Sequence, residues 1–169
     1  VRGLQVYGQP VSAAWAGQRT AVNLAGIKKE DVARGDVLAP PDSMVPSQML
    51  DVRLDILKGC QRPITSGQRL HFHHGAGDTL CKLVLLGTEH LSPGERGFAQ
   101  LRFAHPVCVR RGDRFVVRFY SPLETVGGGV VLDANPPKHK AKDPRVVTAL
   151  SIKEAGTFAQ RLRQSILES

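Results

Sequence analysis

The chain has 169 residues, 41% of them apolar, and a formal net charge of +8, enough apolar content for the cores of one or two small domains and a charge suited to a polyanionic partner. No apolar run approaches the roughly 20 residues that cross a bilayer as a helix, which excludes a membrane-spanning helix. Cys60, Cys81 and Cys108 are odd in number and never form a C-x-x-C pair, so neither a disulfide framework nor a thiolate zinc site is indicated, and the pattern fits buried cysteines in a reducing compartment.

In chain order, residues 1–40 read as short strands at Val1–Val6, Thr20–Ala25 and Asp36–Leu38, with a turn at Gly8-Gln9-Pro10. Each is bounded by Gly, Pro or Asp. Closing a barrel takes more strands than these, so this segment is expected to be half of a β-barrel. The chain begins at Val1 without methionine or a cationic leader and is expected to be a piece of a longer soluble protein. Pro40-Pro41-Asp42-Ser43 is the predicted linker, since tandem prolines resist helix.

From Met49 to Leu57 the sequence alternates, with Leu50, Val52, Leu54 and Ile56 on one face and Asp51, Arg53 and Asp55 on the other, the period of a half-buried strand. Further strands are predicted at Arg69–His74, Leu80–Leu86, Gly97–Phe103, Arg114–Tyr120 and Gly129–Leu132. No helical pattern interrupts residues 41–137, so an antiparallel barrel is expected there. Three consecutive glycines, Gly127 to Gly129, allow close approach of RNA, but a bulge or tight bend at a barrel corner is the commoner reason for glycine in a strand, and they are not counted as site residues.

After Asp133 the character changes. Asn135-Pro136-Pro137 leads into the basic connector Lys138-His139-Lys140-Ala141-Lys142, and from Pro144 the apolar residues Val146, Val147 and Leu150, then Phe158, Leu162, Ile166 and Leu167, fall at helical spacing. Gly156-Thr157 divides that run into two helices, with Thr157 as N-cap of the second. About 25 residues of amphipathic helix cannot bury their own apolar stripes, so residues 138–169 are expected to begin a further domain or to pack on a neighbour.

One pattern occurs twice. Gly17-Gln18-Arg19 precedes an apolar run and reaches Arg34-Gly35-Asp36; Gly94-Glu95-Arg96 precedes another and reaches Arg111-Gly112-Asp113, with the glycines 18 positions apart in both copies. Constant spacing of turn, strand and turn is the signature of two related β units in tandem. Half of the charge excess lies in residues 138–169, which carry seven Lys/Arg against three Asp/Glu. Arg96, Arg102, Arg110, Arg111, Arg114 and Arg118 crowd the second copy of the repeat, a phosphate-binding pattern if they share a face and otherwise a solvated surface.

Val1–Val6, Ala16–Gly26 and Arg34–Leu38 resemble the second half of domain II of bacterial selenocysteine-specific elongation factors. His73-His74-Gly75, Pro93–Leu101, Arg111–Arg118 and the ending Ser121-Pro122 through Thr125–Asp133 to Asn135-Pro136-Pro137 are similar to domain III of the same family, and that ending is the most specific piece. The resemblance implies a mainly β protein made of tandem antiparallel barrels like those of elongation factor Tu, the first truncated (1–40), the second complete (41–137), with a short helical segment (138–169) where the family's RNA-binding winged-helix region starts.

The resemblance further implies a translational GTPase that brings selenocysteyl-tRNA to the ribosome in the cytoplasm and reads a messenger RNA element through later domains. No G-x-x-x-x-G-K-[ST] loop occurs here, so GTP and magnesium are expected in a separate G domain and neither a catalytic nor a metal site in this chain. Arg19 matches the family arginine of the selenocysteinyl pocket. A selenol is an anion at neutral pH, and a guanidinium prefers it to a neutral seryl hydroxyl. Arg96 stands in the same place in the second repeat, so the arginine also reads as a turn residue. Candidate tRNA contacts, by position in the second barrel, are Arg69, His71, His73 and His74 on one strand and Arg114, Arg118, Tyr120 and Glu124 near the last turn. Alternation puts His71 and His73 on one face and His74 on the other.

Two rivals stay open. The barrels fit another translational GTPase, of the elongation factor Tu or initiation factor type, although the Gly-Gly-Gly and Asn-Pro-Pro ending argues against it. His71 and His73 also fit a metal-binding β-barrel enzyme, but such a site wants a third ligand and an activating carboxylate, and the neighbouring sequence offers no obvious one. Unpaired edges of a half-barrel favour pairing of two chains into a dimer.

Overall fold

A computed structural model describes residues 1–168, with side chains through Ile166. The chain divides into two compact units, Val1–Arg34 and Gly35–Ser169. In the first, β1 (Gly3–Val6) pairs antiparallel with β2 (Gln9–Val11) and β3 (Thr20–Asn23), giving the order β2-β1-β3. Tyr7 and Gly8 make the tight turn, both at positive φ, so Gln9 and Pro10 belong to the strand that follows and not to the turn predicted there. A single 3₁₀ turn covers Lys29–Asp31.

In the second unit the predicted strand Asp36–Leu38 is irregular. A strand persists by pairing along its length in a ladder, and no β-ladder among the described residues includes Asp36–Leu38. Beyond it come β4 (Ser47–Ile56), β5 (Ile64–Thr65), β6 (Arg69–His74), β7 (Gly77–Leu86), β8 (His90–Leu91), β9 (Arg96–Val107), β10 (Arg114–Phe119) and β11 (Thr125–Asp133). Six of them close an antiparallel barrel in the order β10-β11-β4-β9-β7-β6, with β6 returning to β10. The alternation of β4 puts Leu50, Val52 and Leu54 wholly inside. They meet Phe72, whose ring lies edge-on to Phe103 at 5.1 Å and tilted against Phe115 at 5.2 Å, offset aromatic contacts worth about 1 kcal/mol each beyond the area they bury.

The repeat is visible as turn geometry. Gly17, Gly35, Gly94 and Gly112 all have positive φ, between 83° and 104°, which only glycine adopts without strain. In the two first turns the residue after glycine closes the turn in the same way. The Gln18 side-chain oxygen accepts the Trp15 amide at 2.8 Å, and Glu95 accepts that of Ser92 at 2.7 Å.

Helix α1 (Pro144–Ala155) starts as the local chemistry requires, with Asp143 accepting the Arg145 amide and Pro144 at the first helical position. It packs on the barrel of its own chain: Leu150, 1% exposed, sits among Leu86, Leu132 and Phe98. Arg53 bonds Glu154 at 3.1 Å, and Lys153 bonds Asp133 at 2.6 Å. Helix α2 (Phe158–Glu168) opens on the predicted cap, since the Thr157 hydroxyl accepts the Gln160 amide and the Gln160 side chain accepts that of Thr157, a reciprocal capping arrangement. Phe158, Leu162 and Ile166 stay exposed, and the side chain of Leu167 lies outside the described residues. No described helix is long and apolar enough to cross a membrane.

Candidate nucleic-acid interface

The outer surface of the barrel has two sides of different character. Over β4, β9 and β11 it is covered by α1 and by the connector before it. Asp51, although it alternates outward, is wholly buried there: it binds Gln100 Nε2 at 3.0 Å and His139 Nε2 at 2.7 Å, and Gln100 also holds the Pro137 carbonyl at 2.8 Å. Arg102 extends the network, donating to Gln100 and to the His139 carbonyl, both at 2.9 Å. Burial pushes the Asp51 carboxyl above its usual 3.8, against the opposing pull of His139 and Gln100.

The other side, formed by β6, β7 and β10, carries no such cover. Register puts His73 beside Val116 and His71 beside Arg118, so His71, His73 and Arg118 share the outer face. The ring of Tyr120 stacks on His71 at 5.8 Å between centroids, and His71 is in turn parallel to His73 at 6.1 Å. The Arg118 guanidinium donates to the Leu123 carbonyl at 3.1 Å, while its Nε, like Nε2 of His73, is buried without a hydrogen-bond partner among the described residues. Arg69, exposed, is paired in register with Lys82, which is paired with Arg102 on β9, so three cations cross three adjacent strands in a row.

The remaining candidates lie elsewhere. His74 turns to the other face, where its Nε2 meets Asp113 at 3.0 Å and its ring lies over Phe72, so it is a rim residue. Arg114 is exposed at the start of β10, farther along the same outward row. Glu124 is half-buried in the β10–β11 loop, where its carbonyl accepts the Phe119 amide. Arg19 belongs to the other compact unit, just ahead of β3, and has no hydrogen bond or ion pair among the described residues. Arg96, its counterpart in the repeat, bonds Asp55 at 2.6 Å. Because Gln18 and Glu95 close the two turns, neither arginine is needed to hold them.

One residue of this face was missed by sequence reasoning. The two-residue turn Gly75-Ala76 pairs His74 with Gly77 and therefore His73 with Asp78, bringing the Asp78 carboxylate to 3.0 Å from His71 Nδ1 and 3.8 Å from His73 Nδ1. The hydrogen bond from His71 holds that carboxyl below its usual range. The signal was the glycine-bounded turn, which fixes hairpin register.

Comparison with known proteins accords with this barrel. The family model described as the beta-barrel domain of the selenocysteine-specific elongation factor matches residues 51–138. The chain belongs to the selenocysteine-specific elongation factor family. That match decides between the translation-factor barrels left open above. Two members are a selenocysteine-specific elongation factor of Desulfomicrobium baculatum, 44% identical over 133 residues, and one of Escherichia coli (strain K12), 34% identical over 152. The alignments cover 79% and 89% of this chain but 21% and 23% of those proteins, so the chain spans little more than a fifth of either relative. The match runs from within β4 through β11 to Lys138, and thus includes every candidate site residue except Arg19.

Proposed function

We propose that this chain is the tRNA-gripping barrel portion of an elongation factor that delivers selenocysteyl-tRNA to the ribosome in the cytoplasm. GTP and magnesium belong to a G domain outside these residues, and a messenger RNA element is read by domains beyond α2. The observation that supports this best is the bare β6–β10 face, where Arg69, His71, His73, Arg118 and Tyr120 stand together and two buried nitrogens have no partner among the described residues. A buried unpaired donor costs about 1–3 kcal/mol, a cost that a phosphate or 2′-hydroxyl oxygen removes. An A-form stem offers such oxygens along its shallow minor groove. His74 and Glu124 act at the rim of this face, and Arg114 extends it. Arg19 receives the selenolate in the other unit. The open edges of β2 and β3 are the route by which two chains would pair.

Two outcomes are expected. Arg118→Ala should weaken binding of deacylated tRNA about tenfold, the value of one charged hydrogen bond of about 1.5 kcal/mol. It should also lower the slope of log affinity against log salt by about 1, as loss of one phosphate contact requires. Arg19→Ala should leave deacylated tRNA binding unchanged and abolish any preference for selenocysteyl over seryl tRNA. Filter binding across a salt series with the three tRNA forms measures both. Binding that ignores Arg118 would remove the face from consideration, and a preference that survives Arg19→Ala would remove the pocket.

A further inference from the structure

We infer that His71, His73 and Asp78 form a binding site for a divalent transition ion, zinc being the best fit, on the outer face of the barrel. The three residues come from one hairpin, and their ligand atoms, one from each side chain, all lie within 4.8 Å of one another. Zinc held at about 2.0–2.1 Å from nitrogen and oxygen ligands in a tetrahedron requires ligand-to-ligand distances of about 3.3 Å. The Asp78 oxygen is 3.0 Å from His71 Nδ1 and 3.8 Å from His73 Nδ1, distances that bracket that value. Both Nδ1 atoms approach the same oxygen of Asp78, Oδ1.

The scaffold is suited to hold them. His71 and His73 are two apart on β6 and cannot change faces without a register slip, which the closed barrel forbids. Asp78 is locked opposite His73 by the two-residue turn. An ion would take the place of the proton now shared between His71 Nδ1 and Asp78. At His73 the Nδ1 lone pair is free when the ring proton sits on Nε2, which bonds no group among the described residues. Two imidazoles and one carboxylate are borderline ligands that favour zinc over magnesium or calcium. Asp78 is 49% exposed, so a fourth position is open to solvent or to an oxygen of a bound polyanion. The ion needs only this hairpin, and the site therefore stands independently of the tRNA reading.

The test uses the untagged chain and the metal ion alone. Isothermal titration with zinc chloride should give one saturable site, and cobalt should give the intense visible absorption of a tetrahedral centre. His71→Ala, His73→Ala and Asp78→Asn should each weaken zinc binding at least tenfold and remove the cobalt band. His105→Ala, an exposed histidine elsewhere on the barrel, should change neither. Asp78→Asn keeps the volume of an exposed side chain, so that arm stands even where a histidine variant loses structure. Absence of a saturable site, or binding indifferent to Asp78→Asn, would overturn the assignment.

Discussion

Gly129→Ala is expected to destabilise the barrel by about 3 kcal/mol, at the upper end for overpacking a close-fitted interior. Strand β11 runs between β10 and β4, with Gly129 opposite Phe115 on one side and Leu54 on the other. A methyl group at Gly129 would overlap the Arg53 carbonyl oxygen and stand 2.9 Å from the Phe115 ring. The neighbours on the strand are as tight: at Gly128 the methyl would lie 2.5 Å from the Phe115 carbonyl oxygen, and at Gly127 it would overlap that of Asp55. The obstructing atoms are backbone, which cannot rotate away, so two strands must separate to admit one carbon. Gly59, with open space around it, should accept alanine within about 0.5 kcal/mol. Urea denaturation followed by circular dichroism compares the two, and equal midpoints for Gly129→Ala and the parent would refute the packing argument. The glycines therefore serve the approach of neighbouring strands.

His139→Ala is expected to cost about 3 kcal/mol at neutral pH, because removing one partner of a buried pair leaves the other charge uncompensated. Asp51 has no exposed surface, and His139 is its only basic partner among the described residues. The loss should depend on pH with a definite sign. Burial raises the folded-state carboxyl above 3.8, so the folded protein holds this proton more tightly than the unfolded chain does. Stability from the Asp51 proton is then fully present below 3.8 and lost as pH rises through the raised value. The defect of His139→Ala should accordingly shrink on acidification through that interval, where the orphaned carboxyl becomes neutral. Asp51→Asn should remove the dependence and, combined with His139→Ala, should recover part of the stability. Denaturation midpoints of the four proteins from neutral to acid pH check this. A His139→Ala defect independent of pH would show that the imidazole acts by packing alone. Because the same network holds Pro137 and the His139 carbonyl, its loss should also free α1, read as earlier proteolysis near Lys140.

The barrel strands were legible because their period and their boundaries are local properties. Leu50, Val52, Leu54 and Ile56 declare a buried face by alternation, and β6 begins and ends at the predicted Arg69 and His74. The turn glycines were legible for the same reason: positive φ is a demand on single residues, and Gly17, Gly35, Gly94 and Gly112 meet it. Thr157 announced the cap of α2 through a bond to a residue three positions away. Asp36–Leu38 failed because length and bounding turn residues describe one segment and do not supply the ladder that a strand needs.

On the outer face the sequence sorted His71 and His73 from His74, which follows from the pleat alone. It could not place Tyr120 on His71, since that contact depends on β6 closing against β10, strands far apart in the chain. Asp78 joined the histidines through hairpin register, and α1 left that face bare by packing on the opposite one. Asp51 reads as a surface carboxylate by period, yet the connector at Pro137 and His139 folds back over it and buries it. Residue type, spacing and turn chemistry determined by themselves the strands of the closed barrel, the repeat and the family resemblance, because each rests on patterns within a few residues. Which polar groups are covered, which share a face and which remain without a partner was decided only when the barrel closed and α1 docked, because burial and charge pairing depend on distances between residues far apart in the chain.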